Sequence, residues 1–243
     1  MRMLSFGSRN AKEILRDPLT AGFGLGFPLI LLLLRSAIQV NIPVKMFELS
    51  NITPGISVFG LSFVTLFSAT VIAKDRKSSF LQRLYTTPMS PADYILGYTL
   101  PLIPISVLQC GFCYIFAIIL GMQPTWHIVV AVISIIPVAL LYISMGLLFG
   151  SLLTDKQVGG ICGALLTNLS AWLSGIWFDL ELVGEGFRKV AYALPFVHAV
   201  ELEKSILAGS YANITEYIWW VFGYTSVFMV LAVIAFLKQM NNA

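Results

Sequence analysis

The sequence predicts an all-α integral membrane protein: six transmembrane helices, an N-terminal cytoplasmic interfacial helix, and a short extracytoplasmic re-entrant helical hairpin before the sixth span. Three observations lead there. Of 243 residues, 58% are hydrophobic and only 11% are charged, with a mean hydropathy of +0.85, whereas soluble domains carry about 25% charged residues. The charges are gathered into islands, separated by apolar runs of about 20 residues, the length a helix needs to cross roughly 30 Å of hydrocarbon. Lys and Arg are also distributed unevenly between the islands, as membrane topology requires.

The first span runs from about Pro18 to Val40 and the second from Thr53 to Ala73, each flanked by charge. From Tyr94 to Thr154 no residue is charged at neutral pH, too long a stretch for one helix, and GMQPTW at 121–126 supplies the turn that divides it into two spans. The fifth span is placed at Val158 to Phe178 and the sixth at Tyr217 to Leu237. An even number of crossings puts both termini on one side. That side carries Arg2, Arg9, Lys12, Arg16, Lys74, Arg76, Lys77, Arg83, Lys156 and Lys238, ten cations against the five (Arg35, Lys45, Arg188, Lys189 and Lys204) on the other. Positive residues are retained in the cytoplasm, so the termini and the island KDRKSSFLQRLYTTPMSPADY at 74–94 are expected in the cytosol.

Two segments outside the spans are amphipathic. In residues 2–17, Arg2, Arg9, Lys12 and Arg16 share one sector, and Met3, Leu4, Ala11, Ile14 and Leu15 the other. This is the pattern of a helix lying in an interface with its cations toward anionic headgroups. Between the fifth and sixth spans, Val183, Phe187, Val190, Ala191 and Leu194 follow helical spacing opposite Glu181, Glu185 and Arg188. Pro195 breaks that helix, a second runs from Phe196 to Leu207, and Gly209 ends it. Two short amphipathic helices bent at a proline predict a partly inserted hairpin over 179–209.

Several chemistries find no support. No stretch matches G-x-x-x-x-G-K-[ST], so the chain has no phosphate-cradling loop of that type and is not expected to be an enzyme. The spans hold almost no ionisable groups, which argues against ion coupling. Arg35 is the main exception, near the outer end of the first span where it can snorkel. Cys110 and Cys113 form a CxxC inside an apolar span and read as packing residues. His127 and His198 are far apart with no carboxylate-rich cluster to complete a metal site, and neither is given a chemical role. The Asn-x-Ser/Thr triplets at Asn51, Asn168 and Asn213 are short enough to arise by chance. Gly22 with Gly26, Gly146 with Gly150, and Gly159 with Gly163 are small-xxx-small pairs suited to close helix contact, within the bundle or between subunits. No signal-peptide cleavage pattern stands out in the first span, and the chain is read as mature. The net charge of +3 follows from topology and implies no nucleic acid.

With this topology the chain resembles the permease subunits of ABC-2 type transporters over nearly its whole length, as a single transmembrane domain, 1–243. The loop after the second span in that family carries an acidic-basic pair, Gly-Thr, Glu, Leu, then Thr-Pro-hydrophobic-Ser and a later Gly. The matching residues are Asp75 and Arg76, Ser78 and Ser79, Gln82, Leu84, then Thr87, Pro88, Met89, Ser90 and Gly97. Asp replaces Glu, Ser-Ser replaces Gly-Thr, and Gln replaces Glu. Before the sixth span, LPFVHAVELEKSILAG keeps the family's proline, acid and glycine as Pro195, Glu201 and Gly209.

The resemblance implies an exporter permease that pairs with a second permease subunit, as homodimer or heterodimer, and is driven by a separate ABC ATPase holding ATP and Mg. No cofactor is expected in this chain. The cytoplasmic coupling loop, 74–93, would dock on the ATPase through Asp75, Arg76, Phe80, Leu81, Arg83, Leu84, Tyr85, Thr87 and Pro88. The extracytoplasmic hairpin would use Phe187, Leu194, Pro195, Glu201 and Gly209. The expected location is a cell membrane of the bacterial inner-membrane kind. The expected substrate is amphipathic or lipid-like (a drug, antibiotic or peptide), with a polysaccharide or lipid-linked glycan as the alternative. A lipid-head-group transferase would need a surface cluster of carboxylates, histidines or metal ligands, and an ion-coupled carrier would need intramembrane carboxylates.

Overall fold

A computed structural model describes residues 2–18, 22–41, 48–78, 80 and 90–241, and among them every regular element is helical. Helix α1 is Arg2–Arg16. A π-helical run, Gly22–Gly26, leads into α2, Phe27–Asn41, and α3 follows as Leu49–Lys77. The predicted pair of spans between Tyr94 and Thr154 comprises α4 (Pro91–Thr99) with α5 (Leu102–Ile119), then α6 (His127–Leu152). The reversal between them falls where GMQPTW puts it, with Gly121 at φ 111°, a conformation that favours glycine. Beyond lie α7 (Asp155–Val158), a π-helical run Gly159–Leu166, and α8 (Thr167–Trp172). A short 3₁₀ turn at Leu180–Leu182 precedes α9 (Glu185–Tyr192), α10 (Pro195–Leu207) and α11 (Ile214–Asn241).

Five helical stretches among the described residues are long and apolar enough to cross a membrane: Gly22–Asn41, Leu49–Lys77, Ala92–Ile119, His127–Leu152 and Ile214–Met240. They correspond to the first, second, third, fourth and sixth expected spans. The segment expected as the fifth, Val158 to Phe178, is helical only as far as Trp172 and π-helical through Gly159–Leu166. Its composition accounts for this. Gly159, Gly160 and Gly163 loosen the helical ladder, and Thr167, Asn168 and Ser170 lower its hydropathy.

Helix α3 is the spine of the bundle and is buried along almost its whole length. It makes its most extensive packing with α6, and α10 and α5 also lie against it. In a bilayer, lipid tails are as apolar as side chains, so close packing and interhelical hydrogen bonds hold such contacts together. Here small residues permit the approach: a Cβ at Gly150 would sit 2.9 Å from Ala69 Cα, and one at Gly146 would sit 2.6 Å from Ser68 Cβ. Thr65 Oγ1 donates to the Tyr142 carbonyl at 2.7 Å across the same contact. Gly22, Gly26 and Gly159 instead face open space, so of the three glycine pairs only Gly146 with Gly150 packs closely at both members.

Two sequence expectations are corrected. The buried side of α1 is Phe6, Gly7, Asn10 and Ile14, packed chiefly on α4, while Leu15 is exposed. Arg9 does not extend toward headgroups, because its guanidinium is held by Asp75. Arg35 does not snorkel: it is buried, with its cation 4.8 Å from the centre of the Trp177 ring and Nη2 3.5 Å from the Trp177 carbonyl.

Candidate functional site

The acidic-basic pair Asp75-Arg76 closes α3 and fastens it in two directions. Asp75 is 2% exposed. It accepts two parallel bonds from Arg9 of α1, Nη1 to Oδ2 at 2.6 Å and Nη2 to Oδ1 at 2.7 Å, and a third from the Tyr98 hydroxyl of α4 at 2.8 Å. A fork-to-fork guanidinium-carboxylate pair is among the strongest and most directional polar contacts available. Burial works against the Arg9 charge, yet the bond to Asp75 and its negative charge outweigh that and raise the Arg9 pKa. Arg76 points the other way and donates to the carbonyls of Gly150 at 2.8 Å and Leu153 at 3.0 Å. It thereby caps the C-terminus of α6, where the helix dipole favours a cation.

Phe80 lies over this node. The Arg9 guanidinium carbon is 4.5 Å from the Phe80 ring centre, and the Phe6 ring stacks on it at 6.4 Å. Phe6 also meets Tyr98 edge-on at 4.9 Å. At the later Gly97, α1 and α4 are in close contact: a Cβ there would lie 2.3 Å from Phe6 Cδ1, and Asn10 Nδ2 donates to the Gly97 carbonyl at 3.1 Å. Ser90 is the N-cap of α4. Its Oγ accepts from Asp93 N at 3.3 Å while the Asp93 carboxylate accepts from Ser90 N at 2.8 Å, and Pro91 takes the first helical turn. Four positions of the loop pattern, Asp75, Arg76, Ser90 and Gly97, are therefore structural fasteners around the loop. Leu81, Arg83, Leu84, Tyr85, Thr87 and Pro88, like Ser79 and Gln82, lie outside the described residues.

At the opposite end of α3 the segment 179–209 folds as two helices meeting at Pro195, which occupies the first turn of α10 and is buried. Leu194 is its extended N-cap and is half-buried. Phe187 is half-buried with its ring 6.1 Å from Phe178, whereas Val183 and Val190 remain exposed, so the apolar side of α9 is only partly covered. Glu201 pairs with Lys204 at 2.9 Å. Gly209, at φ 68°, ends α10 against His127. Helix α10 packs on α3, α6 and α11, and its buried side carries two ionisable groups, His198 and Glu203. The His198 ring stacks on Trp220 at 4.6 Å, and its Nε2 is 2.8 Å from the Tyr192 carbonyl. Burial lowers the His198 pKa, which favours the neutral ring.

Sequence reasoning singled out Asp75 and Glu201 but missed Arg9 as the partner of the first and Glu203 beside the second. A signal existed for each. Arg9 is on the basic side of an interfacial helix, adjacent to the inward-facing Asn10, and Glu203 is four residues before Leu207 on a helix whose other inward positions, His198 apart, are apolar. Cys110 and Cys113 are free and buried, consistent with packing, and no group of three potential metal ligands occurs among the described residues.

No curated protein matches the chain. A family model for the ABC-2 type transporter matches residues 3–208, from the second residue of α1 to the end of α10. The match therefore spans both the fastened base of α3 and the hairpin at its other end, and the chain belongs to the ABC-2 type transporter family as a membrane-embedded permease component.

Proposed function

We propose that this chain is an exporter permease in which 74–93 is the docking element for a separate ATPase. The observation that carries the reading is the anchoring of Asp75 and Arg76. A loop that receives force must leave the bundle from a fixed point, and the residues before it are bonded to α1, α4 and α6. The loop retains Thr87, Pro88, Met89 and Ser90 in family order. ATP and Mg belong to the partner, since the sequence lacks a phosphate-cradling loop of the G-x-x-x-x-G-K-[ST] type. The ten-to-five division of cations favours cytosolic termini in a cell membrane, with 155–172 and the chain following it making the fifth of six crossings. A second permease subunit completes the pathway for an amphipathic substrate. The open sides of Gly159 and Gly160 allow it a close approach.

Leu84→Asp tests docking. A carboxylate forced into an apolar contact costs several kcal/mol, so the variant is expected to reach the membrane yet fail to co-purify with its ATPase, with transport lost in parallel. Wild-type association at wild-type expression would remove the apolar side of the loop from the interface. At the other end, Phe187→Asp and Leu194→Asp should lower export more than Glu185→Gln, because Glu185 is exposed and pairs with the exposed Lys189. Equal tolerance of all three, in a transport assay at matched expression, would mean that the hairpin plays no part in the pathway.

A further inference from the structure

Glu203 is fully buried on α10. Its Oε1 lies 3.0 Å from Ser134 Oγ of α6, and the same hydroxyl lies 2.9 Å from the Ala131 carbonyl. A serine hydroxyl has one proton to donate. If that proton goes to the Ala131 carbonyl, which can only accept, the contact with Glu203 has no hydrogen unless the carboxyl supplies it. The second oxygen, Oε2, is buried with no hydrogen-bond partner among the described residues.

Among the described residues no cation answers the carboxyl. On α10 itself Lys204 is paired with Glu201, and His198 is turned to the Tyr192 carbonyl and Trp220. From α5 the groups that face it are the Cys110 thiol and the Tyr114 phenol. Helix α3 is uncharged from Leu49 to Ala73, and α6 has no acidic or basic residue beyond His127 at its start. On α11 the nearest charge is Glu216, which acts on His198, and on α9 Arg188 and Lys189 are exposed and paired with Glu181 and Glu185.

We propose that Glu203 is a proton-binding site whose occupancy holds α10 in the bundle: the protonated carboxyl donates to Ser134 Oγ, and Ser134 donates to the Ala131 carbonyl. This inference is independent of how the ATPase docks and of which substrate is carried. A buried ionised carboxylate is costly when unpaired, whereas the protonated acid completes a chain of two hydrogen bonds. Burial pushes the Glu203 carboxyl up to about 8. The sign of the pH dependence follows. A released α10 exposes a carboxyl of ordinary acidity, so docking is at full strength in acid, weakens as pH rises through the ordinary carboxylate range, and levels off only above about 8, where the docked group also loses its proton.

The test is amide hydrogen exchange over 196–207 in the full-length protein, in phosphatidylcholine nanodiscs, between pH 5 and 9. Dividing the wild-type rates by those of Glu203→Gln removes the intrinsic pH dependence of exchange. The ratio is expected to rise by up to about tenfold per pH unit between about 5 and 8 and then level, while the ratio over 3–16 in α1 stays constant. A ratio over 196–207 that is flat, or that falls as pH rises, overturns the proposal. If Glu203→Gln does not reach the membrane, Glu203→Leu serves as the uncharged reference, and the same rise or its absence decides.

Discussion

Arg9→Ala is expected to loosen α1 from the base of the bundle by about 3 kcal/mol, or roughly a hundredfold in the docking equilibrium. Removing one partner of a buried ion pair is worse than never having had it, because the other charge is left in a poor solvent. Asp75 is the stranded partner, at 2% exposure and, among the described residues, with Tyr98 alone still donating to it. The figure is at the low end of what such breaks cost, since Arg9 is partly exposed and water can reach part of the gap. Asp75→Asn should cost only about 1 kcal/mol, because an amide oxygen still accepts from Tyr98 and Arg9 keeps its existing ion pair with Glu13 at 2.8 Å. The double variant Arg9→Ala/Asp75→Asn should recover most of the loss. Hydrogen exchange over 3–16 checks the order, and protection in Arg9→Ala equal to wild type would show that the pair does not hold α1.

Gly150→Val should be far more damaging than Gly159→Val. The new Cβ meets the Cα and carbonyl oxygen of Ala69 at 2.9 Å, so the obstacle is backbone that cannot rotate aside. Overpacking costs typically 1–3 kcal/mol where side chains can adjust, and more where they cannot. Separating α3 from α6 here also draws the Gly150 carbonyl away from Arg76. Gly159→Val is the matched control, since its Cβ meets nothing within 4 Å. Thermal unfolding followed by size-exclusion in detergent should show Gly150→Val unfolded or well below wild type, with Gly159→Val close to it. Comparable melting of both variants would show that the α3–α6 contact is not the tight one.

The alternation of apolar runs and charged islands was enough to place five of the helices, because crossing length and hydropathy are local properties of sequence. The corner at Pro195, the stop at Gly209 and the turn at Gly121 were legible for the same reason: proline and glycine act on their own backbone. What the sequence could not supply was pairing at long range. Arg9 and Asp75 are separated by more than sixty positions, and a helical wheel cannot tell a cation bound to lipid from one bound to a carboxylate elsewhere in the chain. Glu203 escaped for a related reason, since the spacing that predicts a partly inserted hairpin does not show which of its acids packs against a helix elsewhere in the chain. The stretch after Val158 shows a third limit. Its apolar content suggested one more regular span, while its glycines allow a looser winding that composition alone does not reveal.

Helix α3 runs for 29 residues with Pro54 as its sixth, about 43 Å from end to end at 1.5 Å per residue. It is gripped at Asp75 and Arg76 by α1, α4 and α6, and α10 rests against it. A stiff beam clamped near one end turns a small tilt there into a displacement that grows with distance from the clamp. A tilt of about 5° at the Lys77 end would carry the Leu49 end roughly 4 Å sideways. If 74–93 docks an ATPase as proposed, distance along this helix would act as a gear ratio, converting a slight rotation beside the loop into a several-ångström shift at its Leu49 end.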